Sequence, residues 1–175
     1  MEVDTNYAGD IAALHALGFD AGKFDNCGAM KNLTKYAELM VATGKNYTVE
    51  NCHWGHCWDQ DGDPDASGCP TEDWCPFNLY RTSGDVAKAP GSWLHNLQTT
   101  SKFRDLKAPL SVPHCWAYPD MLEVGMVEEP LNSPELLWNR AHFGGWAVSS
   151  SPLVLGADLS DAGLMAKIAS HFGII

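Results

Sequence analysis

An alternation constrains this chain more than any other feature. Segments with apolar groups at helical spacing take turns with short β-type segments along nearly all of the 175 residues. Helical patterns run over 5–17, closed by Gly18, over 29–43, closed by Gly44, and over 90–103. Two more run over 133–150, opening on Ser133 and Pro134, and over 160–172, capped by Ser160 or Asp161. Between them lie strand-like stretches: AGKFD at 21–25, YTVENCHW at 47–54, NLYRTSG at 78–84, part of PLSVPHCWAYPDML at 109–122, and PLVLGADL at 152–159. The order is α-β-α-β-loop-β-α-β-α-β-α, the loop being residues 55–76. Parallel strands need helical crossovers of this kind, and the resulting sheet is covered on its faces. The spacing therefore predicts an α/β protein, and the length is that of a single domain over 1–175.

Polar residues gather at or just beyond the carboxyl ends of the predicted strands: Lys23 and Asp25, His53, Arg81 and Asp85, Asp120, Asp158. In an α/β barrel that end carries the active site. Asp25 and Asp85 are two carboxylates at strand tips, and a carboxylate pair is the equipment of glycoside hydrolysis. Lys23 and Asp25 are two residues apart, so on a strand both point to the same side. The ammonium favours an ionised Asp25 and can hold sugar hydroxyls. Arg81, four residues before Asp85, offers a guanidinium fork for the same purpose.

Charge and composition exclude other classes. A net charge of −11 speaks against nucleic acid, whose phosphates need clustered Lys and Arg. No apolar run is long enough to span a membrane, and no signal-peptide pattern opens the chain. Cys52, Cys57, Cys69 and Cys75 crowd one stretch, with Cys27 and Cys115 outside it. They leave disulfides, a zinc site and free thiols open, although C-x4-C and C-x5-C depart from the usual zinc spacing. DQDGDPD at 59–65 resembles a calcium loop, but Pro70 stands where the twelfth-position carboxylate belongs, so a solvated loop is expected. Asn32-Leu33-Thr34 and Asn46-Tyr47-Thr48 are glycosylation sequons. His142 and His171 are expected as core or interface residues, Trp138 and Trp146 as packing, and Trp54 and Trp116, near strand tips, as candidates for stacking on sugar.

AGKFDNCG, ENCHWG, YRTSGD, GSW, CWAYPDMLEVG and NRAHFGGWAVSSSPLVLGADL, in this order, resemble glycoside hydrolase family 27, the retaining α-galactosidases and α-N-acetylgalactosaminidases. The resemblance covers nearly the whole chain. It implies that Asp25 is the nucleophile, Asp85 the acid/base, and Lys23 and Arg81 the residues that hold galactose hydroxyls. Asp120, the aspartate of PDML, falls among the substrate-binding residues, at the floor of the site. His53 and Trp54 follow Cys52 where family members read C-E-W or C-S-W. The middle residue senses the substituent at sugar C2, so His53 leaves galactose, N-acetylgalactosamine and β-L-arabinopyranose as rivals. The chemistry implied needs no metal or organic cofactor, and the implied partner is a carbohydrate.

The resemblance also implies a partial (β/α)8 TIM barrel of about five β/α units, starting in the helix before the fourth strand. On this reading the first three strands and the C-terminal β domain lie outside the chain. A rival expectation follows: a catalytically silent fragment, or a module that completes a barrel with another chain or a second copy. The family joins a cysteine at the position of Cys52 to one near the next strand, which implies Cys69 or Cys75 as its partner. It also implies a secreted, lysosomal or vacuolar setting.

Overall fold

The structure, a computed structural model, describes residues 4–25, 32–52, 75–103, 111, 113–127 and 137–172. The chain divides into two compact units, Met1–Arg81 with Phe103–Ala117, and Thr82–Lys102 with Tyr118–Ile175.

The first unit is built on a parallel sheet. Its strands are β1 (Ala21–Asp25), β2 (Thr48–Cys52) and β3 (Leu79–Arg81), followed by β4 (Trp116–Tyr118), and the sheet order is β1-β2-β3-β4. β1 pairs with β2 from Ala21↔Thr48 to Asp25↔Cys52, and β2 with β3 at Glu50↔Leu79 and Asn51↔Tyr80. Trp116 N–H donates to Asn78 O at 2.8 Å, which joins β4 to the start of β3.

Two helices cover one side of this sheet. In α1 (Asp4–Ala16), Tyr7 and Ile11 are buried and Leu14 packs beside them, the i, i+4, i+7 stripe of an amphipathic helix. Gly18, at φ +80°, ends it, and Lys45 Nζ donates to the Gly18 and Phe19 carbonyls at 3.1 and 2.6 Å while pairing with Asp20. In α2 (Leu33–Ala42) the buried residues are Leu33, Tyr36 and Met40. The predicted start at residue 29 moves to Leu33, because Asn32 is the N-cap: its Oδ1 accepts the Lys35 N–H at 2.9 Å. Phe24, Val49, Tyr80 and Ala117 supply the sheet's half of the core, with Phe24 4.4 Å from the Tyr36 ring.

The second unit contains α3 (Pro90–Thr99), α4 (Leu137–Val148) and α5 (Ala162–Phe172). Pro90 starts α3 with φ preset for a helix, and a 3₁₀ turn, Thr100–Phe103, replaces the last turn expected there. Of the two caps left open for the last helix, the structure uses Asp161, whose Oδ1 accepts the Leu164 N–H at 3.0 Å. Trp93, Leu122, Val124, Val127, Trp146 and Ile168 form the buried core. Trp138 packs against it and His142 lies within it, as expected, 4.1 Å from the Trp146 ring. The side chain of His171 and the predicted helix start at Ser133 lie outside the described residues.

Two predicted strands shrink. NLYRTSG is extended only to Arg81: the Thr82 N–H still donates to Tyr118 O at 3.0 Å, but the Thr82 and Ser83 hydroxyls and the Gly84 carbonyl bond to Thr99, Pro119 and Asn96 as the chain leaves the sheet. PLVLGADL contributes a single parallel bridge, Leu155↔Leu122. The Leu122 N–H donates to Val154 O at 2.7 Å and the Gly156 N–H to Leu122 O at 2.8 Å; before this bridge Pro152 has no N–H to donate, and after it Asp158 turns the chain by accepting the Ser160 N–H at 2.8 Å. The hydroxyl and N–H of Ser160 hold the Asp158 carboxyl below its usual range.

Candidate active site

In β1, Phe24 points to the helices, so Lys23 and Asp25 point the other way. The same alternation carries through β2 and β3. Val49 and Tyr80 enter the core, leaving Glu50, Cys52 and Arg81 on the face of Lys23 and Asp25. Register then sets the rows. Lys23 is level with Glu50, Asp25 with Cys52, and one step beyond Asn51↔Tyr80 brings Cys52 beside Arg81. The contacts agree: Lys23 Nζ is 3.4 Å from Glu50 Oε1, and Arg81 Nη1 donates to Cys52 Sγ at 3.2 Å.

Exposure divides this row. Asp25 is exposed and Lys23 partly so, whereas Cys52 and Arg81 are each 1% exposed. Burial pushes the Cys52 thiol up; the Arg81 and Lys23 cations oppose this without cancelling it, so the thiol is neutral near pH 7. Partial burial pulls the Lys23 pKa down, Glu50 and, to a lesser degree, Cys52 push it up, and the net direction is up.

In the second unit, the loop after β3 presents an exposed Asp85 between two anchored neighbours. Gly84 O accepts from Asn96 Nδ2 at 3.0 Å, and Val86 N–H donates to Asp120 Oδ2 at 2.7 Å. Asp120 is 3% exposed; its other oxygen accepts the Met121 N–H at 2.8 Å, and the Trp146 indole donates to its carbonyl. Its φ of +114° is a strained conformation for a residue other than glycine. Asp120, expected at the floor of the site, thus spends its carboxylate on the backbone beside Asp85.

Several expectations change. Cys52 is a free buried thiol, and Cys75 is bonded to Cys115, not to Cys52. Cys52 is occupied by Arg81 on the inner row, while Cys75 and Cys115 stand just before β3 and β4, with Cα atoms 6.0 Å apart. Trp116 opens β4 instead of ending it, so it stands at the wrong end of its strand for the stacking expected of it. His53, Trp54, Cys27, Cys57, Cys69 and the 59–65 stretch lie outside the described residues. Sequence reading missed Glu50, although half of its signal was there: T-V-E-N-C alternates, and the phase that buries Val49 turns Glu50 to the opposite face, where register sets it beside Lys23.

A parallel sheet with a charged row at its carboxyl ends defines an α/β-barrel type of site. The solved α-galactosidase of Saccharomyces cerevisiae, determined with raffinose, matches the fold at a TM-score of 0.62 and 20% identity, over 87% of this chain and 36% of that one. The fold is therefore a partial TIM barrel. The profile of the alpha galactosidase A family, Melibiase_2, matches residues 4–170, and the chain belongs to that family. An alpha-galactosidase of Oryza sativa subsp. japonica is 30% identical over 155 residues, covering 86% of this chain, and alpha-galactosidase 2 of Arabidopsis thaliana is 28% identical over 160 residues, also covering 86%. The chain spans about a third of the length of these curated relatives, 33% and 34%.

Proposed function

We propose that residues 1–175 form the catalytic part-barrel of a retaining exo-α-galactosidase. Asp25 attacks the anomeric carbon and forms a glycosyl-enzyme while Asp85 gives its proton to the departing oxygen. Asp85 then takes a proton from water, the water oxygen bonds to the anomeric carbon, and Asp25 is released as carboxylate. Lys23 and Arg81 hold hydroxyls of the sugar, His53 senses its C2 substituent, Trp54 stacks on the sugar, and Asp120 supports the loop of Asp85. One observation carries this reading: Asp25, at the tip of β1, shares a face with a partly exposed lysine and a buried arginine. That arrangement suits an anionic nucleophile with cationic N–H donors beside it.

The test is hydrolysis of 4-nitrophenyl α-galactoside. Asp25→Asn and Asp85→Asn are each expected to lower kcat by about a thousandfold or more, and the first-formed sugar is expected to be the α-anomer. Carboxyl groups of a retaining pair stand about 5 to 5.5 Å apart, against roughly 6.5 to 9.5 Å for inversion; a β-anomer as first product sinks the retaining mechanism.

A second reading is a silent or assembly module that joins a chain supplying further strands or a second copy. Among the described residues β1 is an edge strand of its sheet, which suits such pairing. Inactivity of the wild-type chain, with activity gained on mixing with a chain carrying the remaining strands, selects it. His53 keeps α-N-acetylgalactosaminides and β-L-arabinopyranosides as rival substrates, separated by assaying the three glycosides side by side. The Cys75–Cys115 bond supports an oxidising setting, secreted or vacuolar.

A further inference from the structure

We propose that Glu50 is a positioning residue for Lys23, fixing its ammonium over the face that carries Asp25. The pairing of β1 with β2 makes Glu50 the direct neighbour of Lys23, and alternation turns both side chains to the same side. Neither group is free in water: the side chains are 36% and 20% exposed, and Nζ lies 3.4 Å from Oε1. A lysine stem has considerable rotamer freedom to lose when it is ordered. A carboxylate one strand away takes up much of that cost before a sugar arrives. An ammonium has three donors, so pairing with Glu50 leaves others for sugar hydroxyls.

Charge argues the same way. Glu50 is a carboxylate on the sheet face that bears Lys23, Arg81 and Asp25, with Cys52 as a neutral thiol among them. Arg81 repels the ammonium and partial burial penalises it; Glu50 is the largest opposing influence. Without Glu50, Lys23 gives up its proton more easily and its head group wanders. The role rests on the reading that Lys23 holds sugar, and the readouts below separate the two.

The experiment compares wild type with Glu50→Gln, which keeps shape and removes charge, and Glu50→Asp, which keeps charge. Lys23 titration is followed by NMR of Nζ-labelled lysine, assigned with Lys23→Arg, and kinetics use 4-nitrophenyl α-galactoside. In Glu50→Gln the Lys23 titration is expected to move to lower pH, with KM rising about tenfold and kcat within about threefold. Glu50→Asp is expected to recover most of both. A Lys23 titration unmoved in Glu50→Gln overturns the proposal, as does a moved titration with unchanged KM. If wild type hydrolyses nothing, galactose affinity by NMR replaces KM: a titration shift with weakened galactose binding supports the role of Glu50 while the hydrolase reading fails.

Discussion

His142 is fully buried between the Trp93 and Trp146 rings, and its Nε2 accepts the Glu123 N–H at 2.9 Å. That bond requires a neutral ring, and burial lowers the pKa from 6.5 to about 4. The unfolded chain therefore binds a proton between pH 6.5 and 4 that the folded chain refuses. Stability is expected to fall as the pH drops through that window, by about 3 kcal/mol in all. Urea unfolding at several pH values checks this; a His142→Gln variant should lose most of the slope. At Asp120, replacement by Ala removes the acceptor for two backbone N–H groups, at about 1–3 kcal/mol each. Asp120→Gly loses the same bonds but relieves the φ of +114°, so it should prove more stable than Asp120→Ala by about 1 kcal/mol. Both should lower kcat, since both release the Val86 N–H next to Asp85.

Capping and close packing decide matters among the helices. Asn32→Ala is expected to cost about 1 kcal/mol in thermal unfolding, because the Lys35 N–H loses its partner. Gly125→Ala should cost more. At φ +86° a side chain is strained, and its Cβ would come within 2.6 Å of Leu164 Cδ1 and 3.0 Å of Ile168 Cγ1, so these two side chains must give way. Most of the helices were readable in the sequence because apolar spacing and terminal glycines agree, as in Tyr7, Ile11, Leu14 and Gly18. PLVLGADL reads as a strand on composition, yet only Leu155 bridges, since Pro152 lacks an N–H before it and the Asp158 turn follows it. Alternation also disclosed the shared side of Lys23 and Asp25. It could not disclose Glu50 as their neighbour, because register between strands depends on partners distant in the chain.

Taken over the entire chain, the Cys75–Cys115 bond closes a sequence separation of 40 that includes β3 and α3. The loop-entropy estimate for such a closure is about 4 kcal/mol. Replacing both cysteines with serine should lower stability by about 2–4 kcal/mol, measured by denaturant unfolding. Which cysteines pair was not legible from spacing, because Cys52 looks as well placed as Cys75 until strand phase turns it toward Arg81.

The same crosslink ties the feet of two neighbouring strands, whereas Arg81 sits at the head of one of them. A covalent clasp at the base lets the rim loops lengthen, shorten or change composition without loosening the footing beneath them. Such a chain can be retuned toward new sugars at its mouth while a bond made elsewhere keeps the strands in line.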